Sequence, residues 1–128
     1  MEPRDIRILL VDDEAGFRRP MEFWLTDKGY RVTGVSTGAD ALAQIGRERP
    51  TIVYLDMNMP GMNGIETLEK IREKDKTLPV IMITAYGTTD DMNRAEALGV
   101  SGFFQKDEDF SNAAKLILVA LTFTNKNL

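Results

Sequence analysis

No cysteine and no histidine occur among the 128 residues. Without thiols, a disulfide framework, a thiolate metal site and a thiol nucleophile are all excluded, and without imidazole the commonest general base near neutral pH is missing. Any chemistry must run on carboxylates, hydroxyls and lysines. An excess of positive charge is also lacking. Sixteen Lys plus Arg against 20 Asp plus Glu give a formal charge of −4, so the chain as a whole has no broad attraction for nucleic-acid phosphates or anionic lipid. No direct nucleic-acid binding and no membrane partner are expected. No apolar run approaches the ~20 residues that span a bilayer. The start, Met1-Glu2-Pro3-Arg4-Asp5, is charged, and a cytoplasmic location is the default expectation. What is present is ordinary for a globular domain: 43% hydrophobic and 28% charged residues, in a length that suits a single domain with a sizeable core.

Apolar runs of strand length recur at Ile6 to Val11, Arg31 to Val35, Thr51 to Leu55, Val80 to Thr84 and Gly102 to Gln105. Between them lie segments with helical spacing, such as Phe17, Met21, Trp24 and Leu25, then Ile65, Leu68 and Ile71. Runs such as Ile8-Leu9-Leu10-Val11 and Val80-Ile81-Met82-Ile83 are apolar on both faces, as parallel strands covered by helices on each side require. The alternation βαβα predicts a doubly wound α/β fold with a five-stranded parallel sheet. Ser36 or Thr37 can cap the second helix, Asn63 with Glu66 reads as a capping box, and Gly29 and Gly99 can close the first and fourth helices. Pro20 conflicts with the first helix: an interior proline costs about 3 kcal/mol, so that helix should kink there or start later. The whole of 1–128 reads as one domain with a core of about 6–121. From Thr122 the helical pattern is lost, and 122–128 read as a tail or the start of a linker.

Ligands of open α/β sheets bind beyond the carboxyl ends of the strands. After the first apolar run come Asp12, Asp13 and Glu14; after the third, Asp56; the fourth ends on Thr84; after the fifth comes Lys106. Residues dispersed along nearly the whole chain thus converge on one edge. Carboxylates gathered together repel, and a hard divalent cation with oxygen ligands, most plausibly Mg²⁺, is the simplest reason to gather them. Each residue also has a plainer reading. Asp12, Asp13 and Glu14 can be first-turn acids facing a helix dipole. Asp56 can be a polar strand stop, Thr84 a strand-end or capping residue, and Lys106 a solvated cation.

Taken together, Asp12-Asp13, the run Asp56-Met57-Asn58-Met59-Pro60-Gly61-Met62-Asn63-Gly64, Thr84-Ala85 and Lys106 resemble the signature of response-regulator receiver domains over about Ile6 to Leu121. The resemblance implies a flavodoxin-like topology with strand order 2-1-3-4-5. It also implies a phosphoacceptor of two-component signalling that takes a phosphoryl group from a histidine kinase or phosphotransfer protein on Asp56. Mg²⁺ would be held by Asp13, Asp56 and the backbone carbonyl of Asn58, with Asp12 holding a coordinated water. Lys106 and Thr84 would meet phosphoryl oxygens. Such a domain is no enzyme toward other substrates, catalysing only its own phosphorylation and slow dephosphorylation. Thr84 and Phe103 fall on the family's switch positions, although Phe103 beside Phe104 also reads as plain core. The surface of the fourth helix, fifth strand and fifth helix would engage an output domain or target, and a phosphorylation-dependent dimer is open to it. Asn58 and Tyr86 occupy positions that tune phosphate lifetime, and a bulky Tyr86 is expected to shield the acyl phosphate.

The family's lysine is usually followed by a proline, commonly in a cis peptide, whereas Lys106 precedes Asp107. A cis bond there costs about 2.5–4 kcal/mol, leaving a strained cis peptide or a reshaped trans loop. Asp107, Glu108 and Asp109 can cap the last helix or set partner choice by charge. The competing classes are a pseudo-receiver that signals without phosphorylation, a haloacid-dehalogenase-type phosphohydrolase, and a flavodoxin. The second wants an acid where Asn58 stands, and the third would set its phosphate against the acidic loop.

Overall fold

The computed structural model describes residues 1–85 and 88–126, with side chains through 122. The apolar runs become β1 (Arg7–Val11), β2 (Arg31–Val35), β3 (Ile52–Asp56), β4 (Val80–Thr84) and β5 (Gly102–Gln105). The intervening periodic segments become α1 (Ala15–Asp27), α2 (Gly38–Arg47), α3 (Gly64–Lys74), α4 (Thr89–Ala97) and α5 (Phe110–Lys126). The strands form one sheet in the order β2-β1-β3-β4-β5, every pairing parallel. The order reverses between β1 and β3, and this crevice is where such sheets bind ligands.

Strand side chains alternate between two cores. Ile8, Leu10, Tyr54, Ile81, Ile83 and Phe104 pack with Met21 and Leu25 of α1 and Ala113 and Ile117 of α5. Leu9, Val11, Val53, Leu55, Val80 and Met82 pack on the other face with Ala41 of α2, Leu68 and Ile71 of α3 and Ala95 of α4. The Tyr54 hydroxyl donates to the Ala113 carbonyl at 2.5 Å, tying the central strand to α5.

Local signals settle the helix ends. Thr37, not Ser36, caps α2, its Oγ accepting from the Asp40 amide, and Asn63 with Glu66 forms the reciprocal capping box of α3. Gly29 and Gly99 follow α1 and α4 with φ of 102° and 74°, the left-handed geometry glycine adopts without Cβ strain. Three expectations need correction. β1 starts at Arg7 because Ile6 closes the preceding 3₁₀ turn. α1 starts at Ala15 and runs through Pro20, so the later start is excluded. The residue four before that proline is Gly16, exposed and without a side chain, so the carbonyl that loses its donor stands where water reaches it. α5 continues to Lys126, four residues past the point where the apolar pattern lapses, because helix propagation needs only backbone hydrogen bonds once the preceding turns are packed.

Asp75, just past α3, organises the turn into β4. Its carboxylate accepts from Arg49 Nε at 2.6 Å and from the amides of Thr77 and Leu78 at 3.1 and 2.9 Å. Arg49 foremost, with both amides and against partial burial, holds the Asp75 carboxyl at about 2. This stabilisation is full above the ordinary carboxylate range and is lost as pH falls through about 2. Asp75→Ala is expected to cost about 1–2 kcal/mol in urea unfolding at pH 7, and the loss should disappear at pH 2 and below.

Candidate functional site

Strand register builds the site. Val11 pairs with Leu55, which places Asp12 and Asp56 side by side one residue further on. Asp56 pairs with Ile83 and Thr84 with Gln105, so Thr84 and Lys106 arrive at the same edge. The ladder continues past the strand ends, with Asp12 N–H donating to Val35 O, Met57 N–H to Ile83 O and Lys106 N–H to Thr84 O at 2.9–3.1 Å. Asp56 is the last residue of β3 rather than the first after it, so its backbone is held by the sheet. Gly64 lies against that backbone: a Cβ there would stand 2.2 Å from Asp56 O and 2.7 Å from Met57 Cα. No side chain fits at 64 unless the residue bearing the carboxylate moves.

Asp12 and Asp56 are buried, at 0% and 1% exposure, whereas Asp13 is exposed at the mouth. Each of the three offers a carboxylate oxygen within 4.8 Å of the others. Asp12 Oδ1 accepts from the Glu14 amide at 2.8 Å, and none of the three acids lies in the first turn of α1. Glu14 itself is the N-cap of α1 yet makes no side-chain cap bond. Its carboxylate turns to Lys106 Nζ at 2.5 Å. The ammonium also lies 3.1 Å from Asp12 Oδ2 and 3.6 Å from Asp56 Oδ2, above the Phe17 ring.

Burial first, and then the Asp12 charge, push the Asp56 carboxyl up to about 7, while the Asn58 amide and Lys106 pull it back. Burial works against the Lys106 ammonium, but Glu14, Asp12 and Asp56 outweigh it and raise its pKa. One ammonium thus serves three carboxylates. Asp56 Oδ2 and Thr84 Oγ are buried without a hydrogen-bond partner among the described residues, although an unmet buried polar atom costs about 1–3 kcal/mol. These unmet oxygens, with hard carboxylate donors of net negative charge, fit a Mg²⁺-sized cation and an oxygen-rich ligand.

The expected residues meet here with two differences. Asn58 is exposed and donates its amide to Asp56 Oδ1 at 3.2 Å. Tyr86 lies outside the described residues. Phe103 is half-buried against the α2–α4 core and Phe104 is fully buried against α1 and α5, so the two rings occupy opposite faces. The Lys106–Asp107 peptide is trans, as are all others among the described residues. Asp109 caps α5, its carboxylate accepting from the Ser111 amide at 2.8 Å, while Glu108 closes the loop by accepting from the Gln105 amide at 2.8 Å. Sequence reasoning missed the Glu14–Lys106 pair and Arg18, whose Nη1 donates to the Asp12 carbonyl at 2.7 Å. Spacing gives no direct sign of either, since both depend on how α1 leans on the sheet.

Residues 8–118 match the family model of the response regulator receiver domain. The sporulation initiation phosphotransferase F of Bacillus subtilis is 38% identical over 103 residues, covering 80% of this chain and 83% of that protein. A probable transcriptional regulator, ycf27, of Pyropia yezoensis is 38% identical over 106 residues, covering 83% of this chain. The match spans only 43% of that longer protein. A CheY-like receiver domain structure from Methanospirillum hungatei superposes with a TM-score of 0.91 at 26% identity, covering 96% of this chain and 98% of its own. The chemotaxis protein CheY4 of Vibrio cholerae superposes with a TM-score of 0.83 at 28% identity, covering 88% and 96%. Alike in sequence over most of its length and in fold over nearly all of it, the chain belongs to the response regulator receiver family of two-component signalling.

Proposed function

We propose that this domain accepts a phosphoryl group on Asp56 from a phosphohistidine of a kinase or phosphotransfer protein, and that the modification changes a partner-binding surface. The observation that carries the reading is Asp56 Oδ2, buried without a hydrogen-bond partner among the described residues and facing Lys106 at 3.6 Å. The carboxylate oxygen attacks phosphorus, the phosphorus–nitrogen bond of the donor breaks, and a mixed anhydride forms on Asp56. Asp13, Asp56 and the Asn58 carbonyl would hold Mg²⁺, with Asp12 in support, and the ion would supply positive charge for the phosphoryl oxygens. Lys106 exchanges part of its contact with Asp12 and Glu14 for a phosphoryl oxygen, and Thr84 Oγ, without a partner among the described residues, donates to another.

The switch follows from that donation. Thr84 moves toward the phosphoryl group, and Phe103, half-buried in β5, turns inward into the space vacated. The responding surface is α4, β5 and α5, where α5 carries exposed Leu118 and Val119. An output domain, a target protein or a second copy of the chain would dock there, in the cytoplasm. Tyr86 lies outside the described residues; the resemblance gives its position a tuning role, and Tyr86→Ala is expected to speed dephosphorylation.

Single-turnover phosphorylation by acetyl phosphate tests the roles. Lys106→Ala is expected to bind Mg²⁺ more tightly, since a neighbouring cation is gone, yet to accept phosphate about 10²-fold more slowly. Equal loss of metal binding and transfer would mean that Lys106 only holds the carboxylates in place, and an unchanged transfer rate would remove it from the chemistry.

A further inference from the structure

Arg18, half-buried on α1, does not belong to the acidic cluster but grips its backbone. The guanidinium donates through Nη1 to the Asp12 carbonyl at 2.7 Å. One turn later on the same helix, Glu22 meets Arg18 Nε at 3.6 Å, and the two side chains are only 15% and 29% exposed. Glu22 in turn lies over Gly34 of β2, where a Cβ would stand 1.3 Å from Glu22 Oε1 and 3.3 Å from Arg18 Cδ. Glycine at this strand position leaves room for the carboxylate that orients the arginine. The chain of contact thus runs from the β2 backbone through Glu22 and Arg18 to the residue joining β1 to the acidic loop.

We infer that Arg18, oriented by Glu22 across Gly34, is a positioning residue that presets the Asp12–Asp13 backbone for a divalent cation. The inference rests on the metal-assisted phosphoacceptor reading given above. Sign separates it from a simple charge effect. Arg18 is a cation beside a cation site, so its charge alone weakens Mg²⁺ binding, and removing that charge should tighten it. A positioning role demands the opposite: without the grip the two aspartates are no longer preset, and binding weakens. Groups that orient metal ligands typically contribute about 10–100-fold to affinity.

Mg²⁺ titration calorimetry on the full chain at pH 8 tests this, with circular dichroism to establish that each variant is folded. Arg18→Ala is expected to bind Mg²⁺ about tenfold more weakly. Arg18→Lys, which keeps the charge and can still reach the carbonyl, should recover part of the loss. Gly34→Ala should also weaken binding by displacing the Glu22 carboxylate, the mobile end of a flexible side chain, without unfolding the domain. The same substitution made in a Glu22→Ala background should have little further effect, because the group it displaces is gone. Hydrogen exchange at the Glu14 amide, which donates to Asp12 Oδ1 at 2.8 Å, should quicken in Arg18→Ala. Unchanged or tighter Mg²⁺ binding in folded Arg18→Ala, or additive Gly34 and Glu22 effects, would overturn the inference. A wild type that binds no Mg²⁺ would instead fail the reading beneath it.

Discussion

Asp56→Asn is expected to make the metal-free protein more stable while removing its capacity to accept phosphate. Asp56 is 1% exposed and its Oδ2 finds no hydrogen-bond donor among the described residues, with the Asp12 carboxylate beside it. Those surroundings hold the carboxyl at about 7, well above its position in an unfolded chain. Between pH 4 and 7 the folded state therefore binds more protons than the unfolded one, and the group makes stability fall as pH rises through that interval. Asparagine keeps the shape, carries no charge, and offers an N–H₂ to Asp12. Urea unfolding should place the variant about 2–4 kcal/mol above wild type at pH 8. The gap should close toward pH 4, and Mg²⁺ should narrow it at pH 8 by stabilising the charged wild type alone. A gap independent of pH would mean that packing, not carboxylate repulsion, sets the difference.

The largest destabilisation is expected at a residue far from the acidic edge. Arg72 of α3 is 8% exposed, and its guanidinium donates to four carbonyls on both sides of a seam. Two follow α3, Asp75 O at 3.0 Å and Leu78 O at 2.8 Å. Two follow α4, Leu98 O at 2.6 Å and Gly99 O at 3.2 Å. One cation thus satisfies carbonyls beyond the C-terminal ends of two helices, where the helix dipoles favour positive charge. Arg72→Met keeps much of the bulk but leaves these acceptors unmet, and a loss of about 3–5 kcal/mol is expected in the urea midpoint at unchanged slope. Arg72→Lys, with a point charge in place of a planar fork, should lose an intermediate amount. A loss below about 1 kcal/mol would indicate that water replaces the guanidinium.

Arg72 also shows where sequence reading stops. A basic residue on a periodic helix reads as solvated, and only the meeting of the turn after α3, 3 and 6 residues ahead, with the turn after α4, 26 and 27 residues ahead, makes this one buried. The fold was legible because both-face apolar runs at β1, β3 and β4 admit little besides a covered parallel sheet. Chemistry-bearing residues directly follow or end those runs and the fifth, β5, so the edge that gathers Asp12, Asp56, Thr84 and Lys106 was legible as well. The strand order came from the family resemblance, since periodicity says nothing of which strands are neighbours. Of the two outcomes Pro20 allowed, the later start is excluded, because the cost of an interior proline depends on what stands four residues earlier, here an exposed Gly16. Lys106–Asp107 departs from the family's usual lysine and proline, and the loop adjusts by a trans peptide closed through Glu108 and capped by Asp109.

The most direct measurement is intact mass after incubation with acetyl phosphate, with and without Mg²⁺, for wild type and Asp56→Asn. Phosphoryl transfer to Asp56 predicts a gain of one phosphoryl group in wild type that requires Mg²⁺ and is absent from the variant. No gain in a wild type shown to bind Mg²⁺, or an equal gain in Asp56→Asn, would contradict it, the first result pointing to a pseudo-receiver and the second to a different acceptor.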